Sequence, residues 1–267
     1  MSPKNNYTAL RKVAVLIDGD NAQPSLIAKI LAEAAKHGNI TIRRVYGDWT
    51  TPQMKGWKEA LNNHAVQPIQ QFRYTVGKNS TDSAMIIDSM DILHSGVVDT
   101  FCLVSSDSDY TRLATRIREE GLYVMGIGKN LTPKPFVNAC NIFIYTENLE
   151  LSDEELEERE TIVENGLTSK ETSSKDQKKK PGGDYSKKPN PVPLLKEAIS
   201  MSGEADWIHL GAFGNYLTQL DPGFDPRTYG FRQLSQLLKF YKNHFELRFS
   251  DKEGPSDVYV RLKPRSK

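Results

Sequence analysis

The sequence predicts an α/β protein with a parallel sheet, followed by a smaller unit of three helices and a β-hairpin. Between residues 11 and 149, short and wholly apolar runs alternate with segments of helical periodicity, which indicates parallel strands covered by helices on both faces. The chain has 267 residues, more than one average domain contains, and its hydrophobic fraction of 38% is enough for a packed core. We therefore expect two domains.

The elements of the first domain follow from the order of these patterns. The apolar run at 13–17 predicts a strand, and 24–37 has helical spacing that starts at a proline and ends before Gly38, a residue suited to a helix end. Further apolar runs predict strands at 40–46, 66–71, 100–104, 123–127 and 142–145, and helical spacing predicts helices at 52–62, 82–94 and 110–120. This domain is expected to span residues 10–150.

A polar, charged segment separates the two domains. Residues 151–171 carry eight acids, and residues 175–188 carry six lysines. Such a composition has little apolar surface to offset the entropy of ordering, so 151–191 is predicted to be a flexible linker. Helical spacing then returns at 194–201, 207–220 and 230–241, and strands are predicted at 245–249 and 258–262 around a turn at 252–254. We expect a small winged helix-turn-helix domain at 192–263.

Composition and motifs exclude several classes of protein. The longest apolar run, at 13–17, has five residues, whereas a membrane-spanning helix needs about 20. The polar N-terminal residues 1–10 predict no signal peptide. Cys102 and Cys140 lie in apolar segments, which indicates core positions in a reducing compartment. The five histidines have no zinc-ligand spacing, and the glycine-rich motifs that bind nucleotide phosphates are missing. The net charge of +1 neither favours nor excludes nucleic acid.

Acidic residues follow the predicted strands at the same end of the sheet. Asp18 comes directly after the first strand, Asp48 after the second, and Asp107 and Asp109 after the fourth. Asp82 opens the helix that follows the third strand. Because the carboxyl ends of parallel strands share one edge, where open α/β sheets bind their ligands, these acids are predicted to surround one crevice.

A metal site and simple helix capping are alternative interpretations of these acids. Each acid precedes a helix, where aspartate is a common N-cap, and Asp20 and Asn21 are also typical turn residues. Several ionised carboxylates at one crevice repel one another unless a cation neutralises them. Hard oxygen ligands of this kind suit Mg²⁺ or Mn²⁺. The spacing therefore favours a metal-dependent site for phosphoryl chemistry.

Motifs in the first domain resemble those of the NYN domain, LabA-like group, a branch of the PIN-like ribonucleases. They are VLIDGDN at 15–21, GKNSTD at 77–82 with MIIDSMD at 85–91, LVSSDSDY at 103–110 and VNACNIFIY at 137–145. The resemblance covers residues 10–149 and implies a PIN-like three-layer α/β/α sandwich that cleaves RNA with Mg²⁺ or Mn²⁺. One departure is Asn141, where many relatives have an acid.

The resemblance also implies which residues form the site. Its catalytic and metal-binding acids fall on Asp18, Asp82, Asp107 and Asp109, with Asn21 and Ser105 in support. No predicted site residue other than a carboxylate is well placed to act as the general base. Basic residues near the crevice are candidates for holding the RNA backbone, with ordinary surface charge as the alternative. They are Arg43, Arg44, Arg73, Lys78, Lys129 and Lys134.

The second domain resembles the OST-HTH/LOTUS domain. The stretches that carry the resemblance are residues 210–231, 234–238 and 258–262. The resemblance implies RNA binding and, in some relatives, protein partners. We expect RNA contacts at Arg227, Tyr229 and Arg232; the alternative is that this segment is only a turn before a helix, with Tyr229 and Phe231 packed inside.

The function predicted from the sequence is that of a cytoplasmic, metal-dependent ribonuclease that acts on single-stranded or structured RNA, away from membranes. A haloacid-dehalogenase-like phosphatase is an alternative because Asp18-Gly19-Asp20 follows the first strand, although Asn21-Ala22 fits that family poorly. A second alternative is a non-catalytic RNA-binding or adaptor protein that binds a protein partner through its C-terminal domain. The complete set of acids argues against that alternative.

Overall fold

The computed structural model describes residues 11–72, 80–151, 157, 190–203, 206–250 and 257–264. The chain divides into two compact units, residues 1–150 and 151–267. Arg73, Lys78, the turn at 252–254 and nearly all of the predicted linker 151–191 lie outside the described residues. None of the described helices combines the length and the apolar character needed to cross a membrane.

The first unit is built on a six-stranded parallel sheet with the order β3-β2-β1-β4-β5-β6. The chain adds strands outward from β1 to β3, then returns and adds β4 on the other side of β1. The order therefore reverses between β1 and β4, and such a reversal opens a crevice at the carboxyl ends of the strands. The strands are β1 Lys12–Asp18, β2 Asn39–Gly47, β3 Gln67–Gln70, β4 Thr100–Val104, β5 Tyr123–Gly128 and β6 Ile142–Tyr145.

Helices cover both faces of this sheet and give a three-layer α/β/α sandwich. Alternate residues of β1 enter two separate cores: Val13, Val15 and Ile17 face one, and Ala14 and Leu16 face the other. The first core is closed by α1 Ile27–Ala35, α2 Trp57–His64 and α6 Thr146–Glu150. The second is closed by α3 Ser80–Ser95, α4 Thr111–Glu119 and α5 Lys134–Ala139. The predicted fold class is confirmed.

Differences from the predicted elements are confined to short segments. The predicted helix at 24–37 is a 3-10 turn, Pro24–Leu26, followed by α1. Helices α5 and α6 were absent from the prediction because six and five residues are too few to display a 3.6-residue period. The strand β3 is largely exposed, as its place at the edge of the sheet requires.

The second unit packs three helices against a three-stranded antiparallel sheet of order β7-β9-β8. The predicted helix at 207–220 was wrong at its start: Ile208–His209 forms β7, because the buried Ile208 pairs with Val260 of β9. The His209 ring then accepts a hydrogen bond from Gly211 N and caps the next helix. The other elements are α7 Val192–Ser200, α8 Leu210–Leu220, α9 Leu234–Phe240, β8 Phe245–Phe249 and β9 Val258–Leu262.

Candidate active site

Three segments of the chain bring acidic side chains to the point where the strand order reverses. Asp18 is the last residue of β1. Asp107 follows the end of β4 and begins the 3-10 turn Ser108–Tyr110 that leads into α4. Asp82 lies in the first turn of α3. The crevice predicted from strand order is therefore lined by acids from separate parts of the sequence.

Asp82, Asp107 and Asp109 form what we call the acid cluster. One carboxylate oxygen from each residue lies within 4.8 Å of the other two. The local cause is the capping geometry of the 3-10 turn, since Asp107 Oδ1 accepts a hydrogen bond of 2.9 Å from Asp109 N. Asp107 thus caps the turn and also belongs to the acid cluster. Helix capping and metal binding are therefore compatible interpretations of this residue.

Asp18 lies next to the acid cluster in a different environment. Its side chain is fully buried, at 0% exposure. Its Oδ2 accepts hydrogen bonds from Asn21 Nδ2 at 2.6 Å and Ser105 Oγ at 2.9 Å, and its Oδ1 accepts one from Asp20 N at 3.1 Å. Burial raises the pKa of Asp18, and the hydrogen bonds from Asn21 and Ser105 oppose that rise. Both predicted supporting residues therefore contact this carboxylate directly.

Ser105 connects Asp18 to the loop that carries Asp107. The Ser105 hydroxyl donates to Asp18 and accepts a hydrogen bond of 3.1 Å from Asp107 N. Its own amide donates to Ile127 O of β5 at 3.0 Å. A Cβ on Gly128 would lie 2.4 Å from Ser105 O, so only glycine allows β5 to approach this loop so closely. The position of Ser105 is thus set from both neighbouring strands.

Tyr110 is a site residue that the sequence analysis missed. Its hydroxyl donates a hydrogen bond of 2.8 Å to Asp82 Oδ1, and its ring is fully buried with a centroid 6.3 Å from that of Phe136. Burial raises the pKa of Tyr110, so the hydroxyl keeps the proton that it donates. The signal in the sequence was a tyrosine on the buried face of a helix start, because a buried phenol requires a polar partner.

Asp82 carries opposing influences on its charge. Its partial burial raises the pKa, the hydrogen bond from Tyr110 lowers it, and the charges of Asp18, Asp107 and Asp109 raise it further. Repulsion among the carboxylates is therefore present at this crevice. A divalent cation would relieve it.

Asp20 and Asp48 have structural partners. Asp20 Oδ2 accepts a hydrogen bond of 3.0 Å from the hydroxyl of the buried Thr81, which ties the first turn of α3 to the end of β1. Asp48 is buried at the end of β2, where its Oδ1 accepts from Thr50 Oγ1 at 2.6 Å and Gln70 Nε2 at 3.0 Å. Neither residue joins the acid cluster that the described residues form.

The basic candidates differ in where the first unit places them. Lys129 is exposed just past the end of β5, and its amide donates to Ser106 Oγ at 2.8 Å, beside the loop of the acid cluster. Arg43 lies in the middle of β2, where its Nη1 donates to His64 O at 3.2 Å. Arg44 is paired with Asp88. Lys134 begins α5. The structure therefore brings Lys129, and neither Arg43 nor Arg44, to the loop of the acid cluster.

The candidates of the second unit are held by their neighbours. Arg227 makes a forked ion pair with the buried Asp225, with an Nη2–Oδ2 distance of 2.7 Å. The Tyr229 ring lies 5.8 Å from that of Phe224. Arg232 Nη1 lies 3.1 Å from Glu157 Oε1. The guanidinium of Arg227 thus stabilises the turn Pro226–Tyr229, and RNA contact at these three residues stays a prediction.

The donor set at the crevice suits a hard divalent cation. The acid cluster offers three carboxylates and no sulfur or imidazole ligand among the described residues, which matches Mg²⁺ or Mn²⁺ rather than zinc. Asp18 is buried, and both of its oxygens already accept hydrogen bonds. This environment does not suit the exposed aspartate nucleophile of a haloacid-dehalogenase-like phosphatase.

Comparisons with known proteins identify both units. The family model of the NYN domain matches residues 12–151, and that of the OST-HTH/LOTUS domain matches residues 186–256. Both resemblances inferred from the motifs are confirmed. No curated protein matches the chain.

Two solved structures are similar to parts of the chain. A crystal structure of a protein of unknown function from Vibrio parahaemolyticus is 18% identical, with 54% of this chain and 94% of that one covered and a TM-score of 0.44. A solution NMR structure of an uncharacterized protein from Nitrosomonas europaea is 31% identical, with 37% of this chain and 96% of that one covered and a TM-score of 0.28.

Proposed function

Because this chain belongs to the NYN domain family, a group of PIN-like nuclease domains, we propose that it is a Mg²⁺- or Mn²⁺-dependent ribonuclease. The observation that carries the proposal is the acid cluster. Asp82 reaches Asp107 and Asp109 from a different part of the chain, and their carboxylate oxygens lie within 4.8 Å of one another at the carboxyl edge of the sheet. Packing alone does not require three acids to meet in this way, because their charges repel.

Each residue of the site has a separate proposed role. Asp82, Asp107 and Asp109 would hold the cation, with Asp18, the fourth predicted ligand, buried beside them. A bound ion would supply positive charge to the scissile phosphate and would lower the pKa of the attacking water. Tyr110 orients Asp82, and Ser105 together with Asn21 orients Asp18. Lys129 is exposed at the same edge, where its ammonium group can pair with an RNA phosphate.

The family of the second unit favours RNA as the substrate. OST-HTH/LOTUS domains bind RNA, and residues 186–256 match that family. We assign residues 10–150 to catalysis, 192–263 to RNA binding and 151–191 to their connection. A crevice rimmed by acids repels phosphate, so a linked RNA-binding domain would raise the local concentration of substrate at the site.

The proposal is tested with the purified full-length protein, labelled single-stranded RNA and Mn²⁺, with and without a chelator. We expect cleavage that the chelator stops and that Asp107→Asn abolishes, because the nearly isosteric amide lacks the charge that binds the ion. Asp91→Asn is the matched control, since Asp91 is exposed on α3 and lies outside the acid cluster. Cleavage at the parent rate by Asp107→Asn would show that the site is elsewhere. RNA binding without cleavage would favour the non-catalytic alternative.

A further inference from the structure

One face of the sheet in the second unit carries aromatic and guanidinium groups together. Strand alternation directs Ile208, Phe245 and Val260 into the core of this unit. The neighbours of these residues along each strand project to the opposite side of the sheet. We call this side the guanidinium–aromatic face; its members are Trp207, His209, Glu246, Arg248, Tyr259 and Arg261.

The planar groups of this face lie in contact. The Arg261 guanidinium carbon is 4.5 Å from the centroid of the Trp207 ring, and that of Arg248 is 4.9 Å from the same centroid. Arg248 also lies 5.4 Å from the Tyr259 ring, against which His209 packs edge-on at 5.6 Å. These contacts hold several flat side chains in place on paired strands, so little conformational entropy is left to lose when a flat ligand binds.

Two acids lie beside the basic side chains of this face. Arg261 is paired with Glu246 at 2.8 Å, and His209 Nε2 lies 3.6 Å from Asp257 Oδ1. Arg248 is exposed, and no carboxylate of the described residues lies within ion-pair distance of it. An anion from solution would approach this guanidinium from its exposed side.

We propose that the guanidinium–aromatic face binds single-stranded RNA, by stacking unpaired bases on its planar side chains while Arg248 pairs with a phosphate. The proposal rests on the RNA-binding role proposed above and places the contact on the sheet, away from the turn at Arg227. Unpaired bases stack on aromatic rings and on guanidinium planes, and the exposed guanidinium of Arg248 complements a backbone phosphate. Paired bases are already stacked inside a duplex, so the face discriminates against double-stranded RNA.

The binding test uses the full-length protein and a fluorescein-labelled oligouridylate of about 12 nucleotides, with EDTA present to prevent cleavage. We expect Trp207→Ala and Arg248→Ala each to weaken binding at least about fivefold by anisotropy. Trp207→Phe keeps a stacking surface and should retain most of the affinity. Lys196→Ala is the matched control, because it removes one exposed positive charge from α7. A duplex of the same length should bind the parent protein more weakly than the single strand.

A spectroscopic measurement separates stacking from a structural effect. The chain has three tryptophans, and Trp207 is the one in the second unit. RNA should quench the emission of the parent protein, and Trp207→Phe should lose this quenching while it still binds. If the parent binds RNA and neither Trp207→Ala nor Arg248→Ala changes the affinity, the proposal is wrong and the face suits a protein partner instead. If the full chain binds no RNA, the proposed RNA-binding role fails as well.

Discussion

Tyr110→Phe is the sharpest perturbation of the candidate site, because it removes one hydroxyl and leaves the ring. That hydroxyl donates a hydrogen bond of 2.8 Å to Asp82 Oδ1, and the ring is fully buried beside Phe136. Phenylalanine fills the same space, so the packing of the second core is preserved. The change therefore tests the orientation of Asp82 without altering any carboxylate.

The expected loss of Mn²⁺ affinity in Tyr110→Phe follows from two independent arguments. A hydrogen bond to a charged acceptor contributes about 1.5–3 kcal/mol. Loss of a partner that orients a metal ligand typically costs about 10–100-fold in metal affinity or activity, which corresponds to about 1.4–2.8 kcal/mol. The two ranges overlap. We expect the Mn²⁺ concentration for half-maximal cleavage to rise about 10–100-fold, with most of the rate recovered at saturating Mn²⁺.

The assay is single-turnover cleavage of labelled RNA across a Mn²⁺ titration, for the parent and the variant. Tyr123→Phe is the control, since Tyr123 is the first residue of β5 and so lies at the amino end of a strand, whereas the acid cluster lies at the carboxyl ends. An unchanged Mn²⁺ midpoint in Tyr110→Phe would refute the role given to the hydroxyl. A shifted midpoint in both variants would point to a general loss of stability instead.

Three further predictions concern stability, division of labour and the thiols. Mn²⁺ at a hundredfold excess over its Kd should stabilise the parent by about 2.7 kcal/mol and raise its melting temperature; the same shift in Asp107→Asn would contradict the assignment of the site. Removal of residues 172–267 should weaken RNA binding and raise KM with little change in kcat, and equal RNA affinity of the two chains would show that the second unit has another role. Cys102 and Cys140 are buried, and burial raises the pKa of Cys140 to about 12, so neither should react with iodoacetamide at pH 8 until the protein unfolds; rapid labelling of the native protein would show that this part of the core opens.

The parts of the site that the sequence predicted depend on strand ends. A buried parallel strand is visible as an apolar run, and the residue after it must lie at the carboxyl edge, so Asp18 and Asp107 could be placed from the pattern alone. Contacts between side chains could not be placed in this way. The hydrogen bond from Tyr110 to Asp82 and the one from Thr81 to Asp20 depend on how α3 packs on the sheet, which no local pattern encodes.

Two residues show why the chemical type of a residue does not reveal its role. Gly38 was predicted as a helix-ending glycine, yet a Cβ there would lie 2.1 Å from Arg11 O, so close backbone approach requires the glycine. Arg227 was predicted to face RNA, and the buried Asp225 two residues earlier holds its guanidinium in a fork. An exposed and a paired arginine look identical in the sequence until the neighbouring turn is known.

The hydrogen bond between Ser105 and Asp18 joins residues 87 positions apart, because β1 and β4 are neighbours in the sheet but not in the chain. This separation has a consequence for biosynthesis. A nascent chain that ends before residue 105 contains Asp18 but lacks its Ser105 partner, Asp107 and Tyr110. Interrupted translation would therefore yield fragments in which the acid cluster cannot form, and the cluster would first assemble once the strands on both sides of the reversal have been synthesised.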